Sequence, residues 1–170
     1  MRALAGLALC AALLPACGYT AGARLGPERE RLGIELFAND GRVPDLERAL
    51  HVQLTRAARD LIDGDVVRPS EAQVLMRGRI EGYRTRGGVR DSNNRLLESG
   101  VEVSVSAALV SPAGAPLTRE VRAATWVGFT RDRQEAEEDA VERALRNLAE
   151  RVVLDLALLS RQPPPTPEGP

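Results

Sequence analysis

The sequence predicts an α+β domain: a two-layer sandwich with two helices packed on one face of a four-stranded mixed sheet, in the order β-α-β-β-β-α. Two segments repeat their apolar residues every three or four positions, and four segments alternate apolar with polar residues. The stretch that holds them, 31–160, has the size of one compact domain with one core.

The first strand is read from Arg31 to Phe37, with Leu32, Ile34 and Leu36 on one face, and Asn39-Asp40-Gly41 breaks it. From Val43 to Ile62 the residues Leu46, Leu50, Leu54, Ala57 and Leu61 fall on one helical stripe. Pro44 suits the first turn of this helix, Asp45 and Glu47 suit its positive end, and Gly64 follows its close. The period then changes to two. Ala72, Val74, Met76, Gly78 and Ile80 alternate with polar neighbours in a half-buried strand ending near Tyr83. Arg84 to Asn94, dense in glycine and arginine, reads as the exposed end of a hairpin. Leu97 to Val110 alternates again, Ser111-Pro112-Ala113-Gly114 is a turn, and Leu117 to Val127 returns with Val121, Ala123, Thr125 and Val127 on one side. These three strands make an antiparallel meander. The second helix is expected from Arg133 to Leu159, led by an Asp132/Glu135 capping pair.

The ends of the chain carry a different message. Arg2 and the apolar run Leu4 to Leu14 precede Leu14-Pro15-Ala16-Cys17, the pattern a lipoprotein signal peptidase accepts. An apolar run of about ten residues falls short of the roughly 20 that a membrane-crossing helix needs. Residues 1–16 are therefore read as a lipoprotein signal peptide, with Cys17 as the acylated first residue of the mature chain. The competing reading is an ordinary secretory signal that leaves Cys17 as a free thiol. Residues 17–30, rich in glycine and alanine, are expected to form a flexible tether, and the proline-rich stretch 161–170 a disordered tail. With Cys10 removed and Cys17 acylated, no cysteine remains for a disulfide or a metal site, so the fold rests on its apolar core.

Composition narrows the function classes. A net charge of -1 and an aromatic content of 3% argue against nucleic-acid binding, which draws on a basic excess and on stacking platforms. Every basic side chain is arginine, a planar fork suited to phosphate and carboxylate. His51 has no second ligand beside it, Ser104 and Ser106 lack the glycines of a nucleophile elbow, and the macrodipole accounts for Glu135, Glu137, Glu138 and Asp139. An enzyme is not expected. Trp126 and Phe129 fit either the core or an interface. Arg84, Arg86, Arg90 and Arg95 lie within twelve residues of each other beside Gly87-Gly88, a cluster able to fold around a lipid phosphate. Read without that role, they are a solvated loop that keeps an exposed hairpin end soluble.

Taken together, Cys17-Gly18-Tyr19, a first strand ending Phe37-Ala38-Asn39, a helix running from Pro44-Asp45-Leu46-Glu47 to Leu54-Thr55, and a meander closed by a long helix resemble the LptE family over nearly the whole mature chain. The resemblance implies an outer-membrane lipoprotein that assists lipopolysaccharide assembly, anchored on the periplasmic side through diacylglycerol and an N-acyl chain on Cys17. No other cofactor is implied. It further implies a plug inside an LptD-like β-barrel, which the lipoprotein helps to fold, and contact with lipopolysaccharide at the basic tip carrying Arg84, Arg86, Arg90 and Arg95. The sequence departs from the family in having no lysine at that tip, and Asp91 and Glu98 dilute its charge. The residues alone also allow another class: a periplasm-facing lipoprotein that acts as adaptor or activator of a cell-wall or envelope enzyme.

Overall fold

In the computed structural model, residues 22–23, 25, 31–39, 43–88, 92–93, 98–130 and 135–163 are described. The signal segment, Cys17, Arg90, Arg95, the Asp132 cap and the tail beyond residue 163 lie outside them. The elements are β1 (Arg31–Ile34), β2 (Ala38–Asn39), α1 (Leu46–Leu61), β3 (Asp65–Val67), a 3-10 turn (Pro69–Glu71), β4 (Val74–Gly87), β5 (Glu98–Val110), β6 (Val121–Thr130) and α2 (Glu135–Leu159). They form a mixed sheet in the order β3-β1-β4-β5-β6, with β2 continuing along β4 beyond β1. β1, β2 and β3 pair in parallel, and β4, β5 and β6 form the expected antiparallel meander. The sheet has six strands instead of the expected four.

Both additions have local causes. Ile34 stands opposite Met76 and Ala38 opposite Arg79, so the chain spends four residues where β4 spends three. The extra residue breaks the expected single strand in two and reverses its parity. Leu36, expected in the core, is therefore 56% exposed, and Phe37 is buried in its place. The Phe37 ring lies against Gly78 of β4, where a Cβ would come within 2.5 Å of it and would also strike the Ser106 carbonyl oxygen. β3 escapes sequence reading because a three-residue strand between Gly64 and Pro69 is too short to show a period.

α1 begins at Asp45, which adopts a left-handed backbone (φ 62°) that aspartate tolerates better than most residues. Its carbonyl accepts the amides of Arg48 and Ala49 at 3.2 and 3.1 Å. The side-chain amide of Asn39 donates to the Val43 carbonyl and to Glu47 Oε2, both at 2.8 Å, and so fixes the path from β2 into the helix. The Glu47 carboxyl is held below its usual range by its own backbone amide first and by Asn39 second.

α1 and α2 cover the same face of the sheet, α1 towards β1 to β3 and α2 over β5 and β6. The large side chains between the layers, among them Leu50, Leu54, Met76, Ile80, Leu148 and Leu156, are fully buried. Each contributes about 1.5–3 kcal/mol. Ala140, Ala144 and Ala149 have no exposed area, and their small side chains bring the long helix close to the sheet. On the opposite face Arg77 grips Glu35 with two bonds of 2.7 and 3.0 Å, which lowers the Glu35 pKa.

One further expectation is corrected. The last strand runs Val121–Thr130, not from Leu117, because Leu117 and Thr118 fold back on Leu109. The Thr118 hydroxyl accepts the Leu109 amide at 3.0 Å and its backbone amide reaches the Leu109 carbonyl, which takes this segment out of the ladder. Within the stretch read as a tether, Ala23 exchanges backbone bonds with Leu61 and Asp63 at 2.7 and 2.9 Å, and Leu25 is 3% exposed. These residues are docked on the domain.

Candidate functional site

The hairpin tip depends on a bulge. Ile80 pairs with Val105 and Gly82 with Ser104, so Glu81 is an extra residue and the parity of β4 switches after it. Tyr83 and Thr85 then point to the helices, where both meet Glu137 of α2 at 3.4 and 3.3 Å. Burial is the main reason the Tyr83 pKa rises, and the Glu137 charge adds to it. Arg84 and Arg86 point the other way, onto the helix-free face.

The sequence places Arg84 and Arg86 in a loop, whereas the structure carries β4 through them to Gly87. They are therefore held on a strand, and they converge on one carboxylate. Arg84 Nη2 meets Glu102 Oε1 at 2.9 Å and Arg86 Nε meets Glu102 Oε2 at 2.8 Å. The Glu102 side chain is 20% exposed, while both arginines are more than half exposed. Exposed pairs of this kind contribute about 0–1 kcal/mol each. Their stronger effect is orientation: two parallel guanidiniums share one negative charge, and donors on each remain for an anion. The buried Ser99 hydroxyl donates to the Arg86 carbonyl at 2.8 Å and closes the tip from below.

Directly opposite Glu102 on β6 stands Trp126. Its indole lies over the paired glycines Gly100 and Gly128, where any Cβ on Gly100 would strike the ring. The ring is 59% exposed. Phe129, by contrast, is in the core, whereas Trp126 stays on the surface. Glu102 and Trp126 are the members of this site that the sequence did not bring to the arginines. The signal was present: with Val101, Val103 and Val127 inward, strand parity puts both residues on the open face. Ser104 and Ser106 share that face, and Ser106 is buried within it.

The tip is a charge-compensated basic patch beside a flat apolar ring, built on rigid strands. It suits a ligand that carries both phosphate and apolar or sugar surface. Fold and patch together define a structural class: helix-backed mixed-sheet domains with an exposed basic tip on the open face of the sheet.

Comparison with known proteins gives the chain a family. The profile of the LptE family, described as lipopolysaccharide-assembly, matches residues 30–156, and the chain belongs to this family. Its members are lipopolysaccharide-assembly lipoproteins associated with the outer membrane. No curated protein matches the chain. Among solved structures, a minor lipoprotein from Acinetobacter baumannii is 16% identical with a TM-score of 0.52, covering 82% of this chain and 98% of that one. A protein from Xanthomonas campestris is 12% identical with a TM-score of 0.58, covering 82% and 93%. A hypothetical protein from Chlamydia trachomatis is 7% identical with a TM-score of 0.53, covering 78% and 98%. At these identities the likeness is one of fold.

Proposed function

We propose that this protein is the plug and folding partner of an LptD-type β-barrel, held at the periplasmic side of the outer membrane by an acylated Cys17, and that its hairpin tip contacts lipopolysaccharide. The observation that carries this reading is the distance between the two ends of β4. Ala23 docks at the end of the domain where β1, β3 and β4 begin, so six peptide units limit Cys17 to within about 20 Å of that end. Within the 14 residues of β4, Arg84 and Arg86 stand ten and twelve residues beyond Val74, roughly 33 and 40 Å from that end. A bilayer with its headgroups is roughly 40–45 Å thick. A domain anchored at one leaflet and rising inside a barrel lumen would bring the basic tip level with the other leaflet, where lipopolysaccharide is delivered.

At the tip, Arg84 and Arg86 would offer their free N–H donors to a lipid A phosphate, with Arg90 and Arg95 completing the basic cluster. Trp126 would lie against the sugar or acyl portion. Replacing Arg84, Arg86, Arg90 and Arg95 by alanine is expected to weaken lipopolysaccharide binding at least tenfold, since each charge-assisted bond contributes about 1.5–3 kcal/mol. Stability should change by no more than about 2 kcal/mol, because the two described arginines sit in exposed pairs. A direct binding assay beside a thermal melt tests this, and unchanged affinity in a folded variant refutes the contact.

A further inference from the structure

At the anchored end of the domain, a cleft of about 620 Å³ opens between α1 and the segment running from β3 into the 3-10 turn. His51, Thr55 and Arg59 line one wall at successive intervals of four residues, one stripe of α1. Arg68 and Glu71 face them, and Ile34 and Val66 supply apolar surface. Arg59 and Arg68 make no ion pair among the described residues, in contrast to Arg77, Arg84, Arg86 and Arg122 on the open face of the sheet. His51 Nδ1 is buried without a hydrogen-bond partner. A buried polar atom left unsatisfied is rare in folded proteins.

We propose that this cleft binds a phosphate group, and that the phosphate belongs to the headgroup of an anionic phospholipid in the leaflet that holds the anchor. Two uncommitted guanidiniums against the single carboxylate of Glu71 select an anion, and planar forks flanked by a hydroxyl and an imidazole match the oxygens of phosphate. The choice of a lipid rests on the acylated Cys17 proposed above. Arg59 lies two residues from Leu61, which bonds Ala23, and six residues separate Ala23 from Cys17, so an acylated Cys17 keeps the cleft mouth within reach of the headgroups. The site is separate from the hairpin tip, which lies at the far end of β4.

The test is calorimetric titration of the full mature chain in neutral detergent with dihexanoyl phosphatidylglycerol and, separately, with inorganic phosphate. Both are repeated on the double variant Arg59→Gln/Arg68→Gln, whose fold is checked by circular dichroism. Saturable lipid binding is expected, weakened at least tenfold in the variant, with inorganic phosphate at least tenfold weaker than the lipid. Equal lipid affinity in both proteins, or no saturable binding of either probe, overturns the site. Inorganic phosphate bound as tightly as the lipid, and lost in the variant, retains an anion site but overturns the lipid as its occupant. The titration does not depend on acylation. A mass spectrum showing a bare Cys17 would remove the membrane placement and leave the binding result standing.

Discussion

Replacing Cys17 by serine is expected to release the purified protein from lipid vesicles almost completely. The reason is additive: each buried methylene contributes about 0.8 kcal/mol, one acyl chain anchors only marginally, and stable attachment takes two signals. A diacylglycerol with an N-acyl chain supplies three chains on one residue. Among the described residues no helix is long and apolar enough to cross a membrane, and a single headgroup contact such as that proposed for the α1 cleft buries no acyl chain of the protein in the bilayer. Vesicle flotation without any partner protein measures the effect, because a barrel partner would retain the variant in whole membranes. A Cys17→Ser protein that floats as well as the acylated form would show that attachment has another source.

Gly78→Val is expected to destabilise the domain by about 3 kcal/mol, lowering its melting temperature by roughly 10 °C. Gly78 lies in the central strand β4, and a side chain there meets two obstacles at once. The Ser106 carbonyl belongs to the neighbouring strand and cannot move without breaking the β4–β5 ladder. The Phe37 ring closes the core where β1 passes into β2. Gly82→Ala in the same strand is the control. Its Cβ would meet only the Ser104 hydroxyl, at 3.2 Å, which can turn aside. A Gly78→Val melting curve matching that of Gly82→Ala would remove the packing argument for the Phe37-Ala38-Asn39 segment.

The elements with a long, unbroken period were legible from the residues. α1, α2 and the meander follow from apolar spacing, and so does the placement of both helices on one face. The errors cluster where the period slips by one residue. One extra residue between β1 and β2 turns Leu36 outward and Phe37 inward, and the bulge at Glu81 switches the parity of β4, so the strand continues through Arg84 and Arg86 beyond the point where the first alternation ends. Neither slip leaves a composition signature, because each is set by pairing with a neighbouring strand. β3 was too short to read. Half of the basic tip is now positioned: Arg84 and Arg86 lie side by side on Glu102, while Arg90 and Arg95 lie outside the described residues. The long-range partners, Glu102 for the arginines and Glu137 for Tyr83, depend on strand register that no local pattern specifies.

The most direct test is purification of the acylated protein from its native envelope in mild detergent, followed by identification of what accompanies it. A β-barrel protein of the LptD type in near-stoichiometric amount is the predicted result. Recovery of the protein alone, or with an inner-membrane or cell-wall enzyme and no barrel, would contradict it.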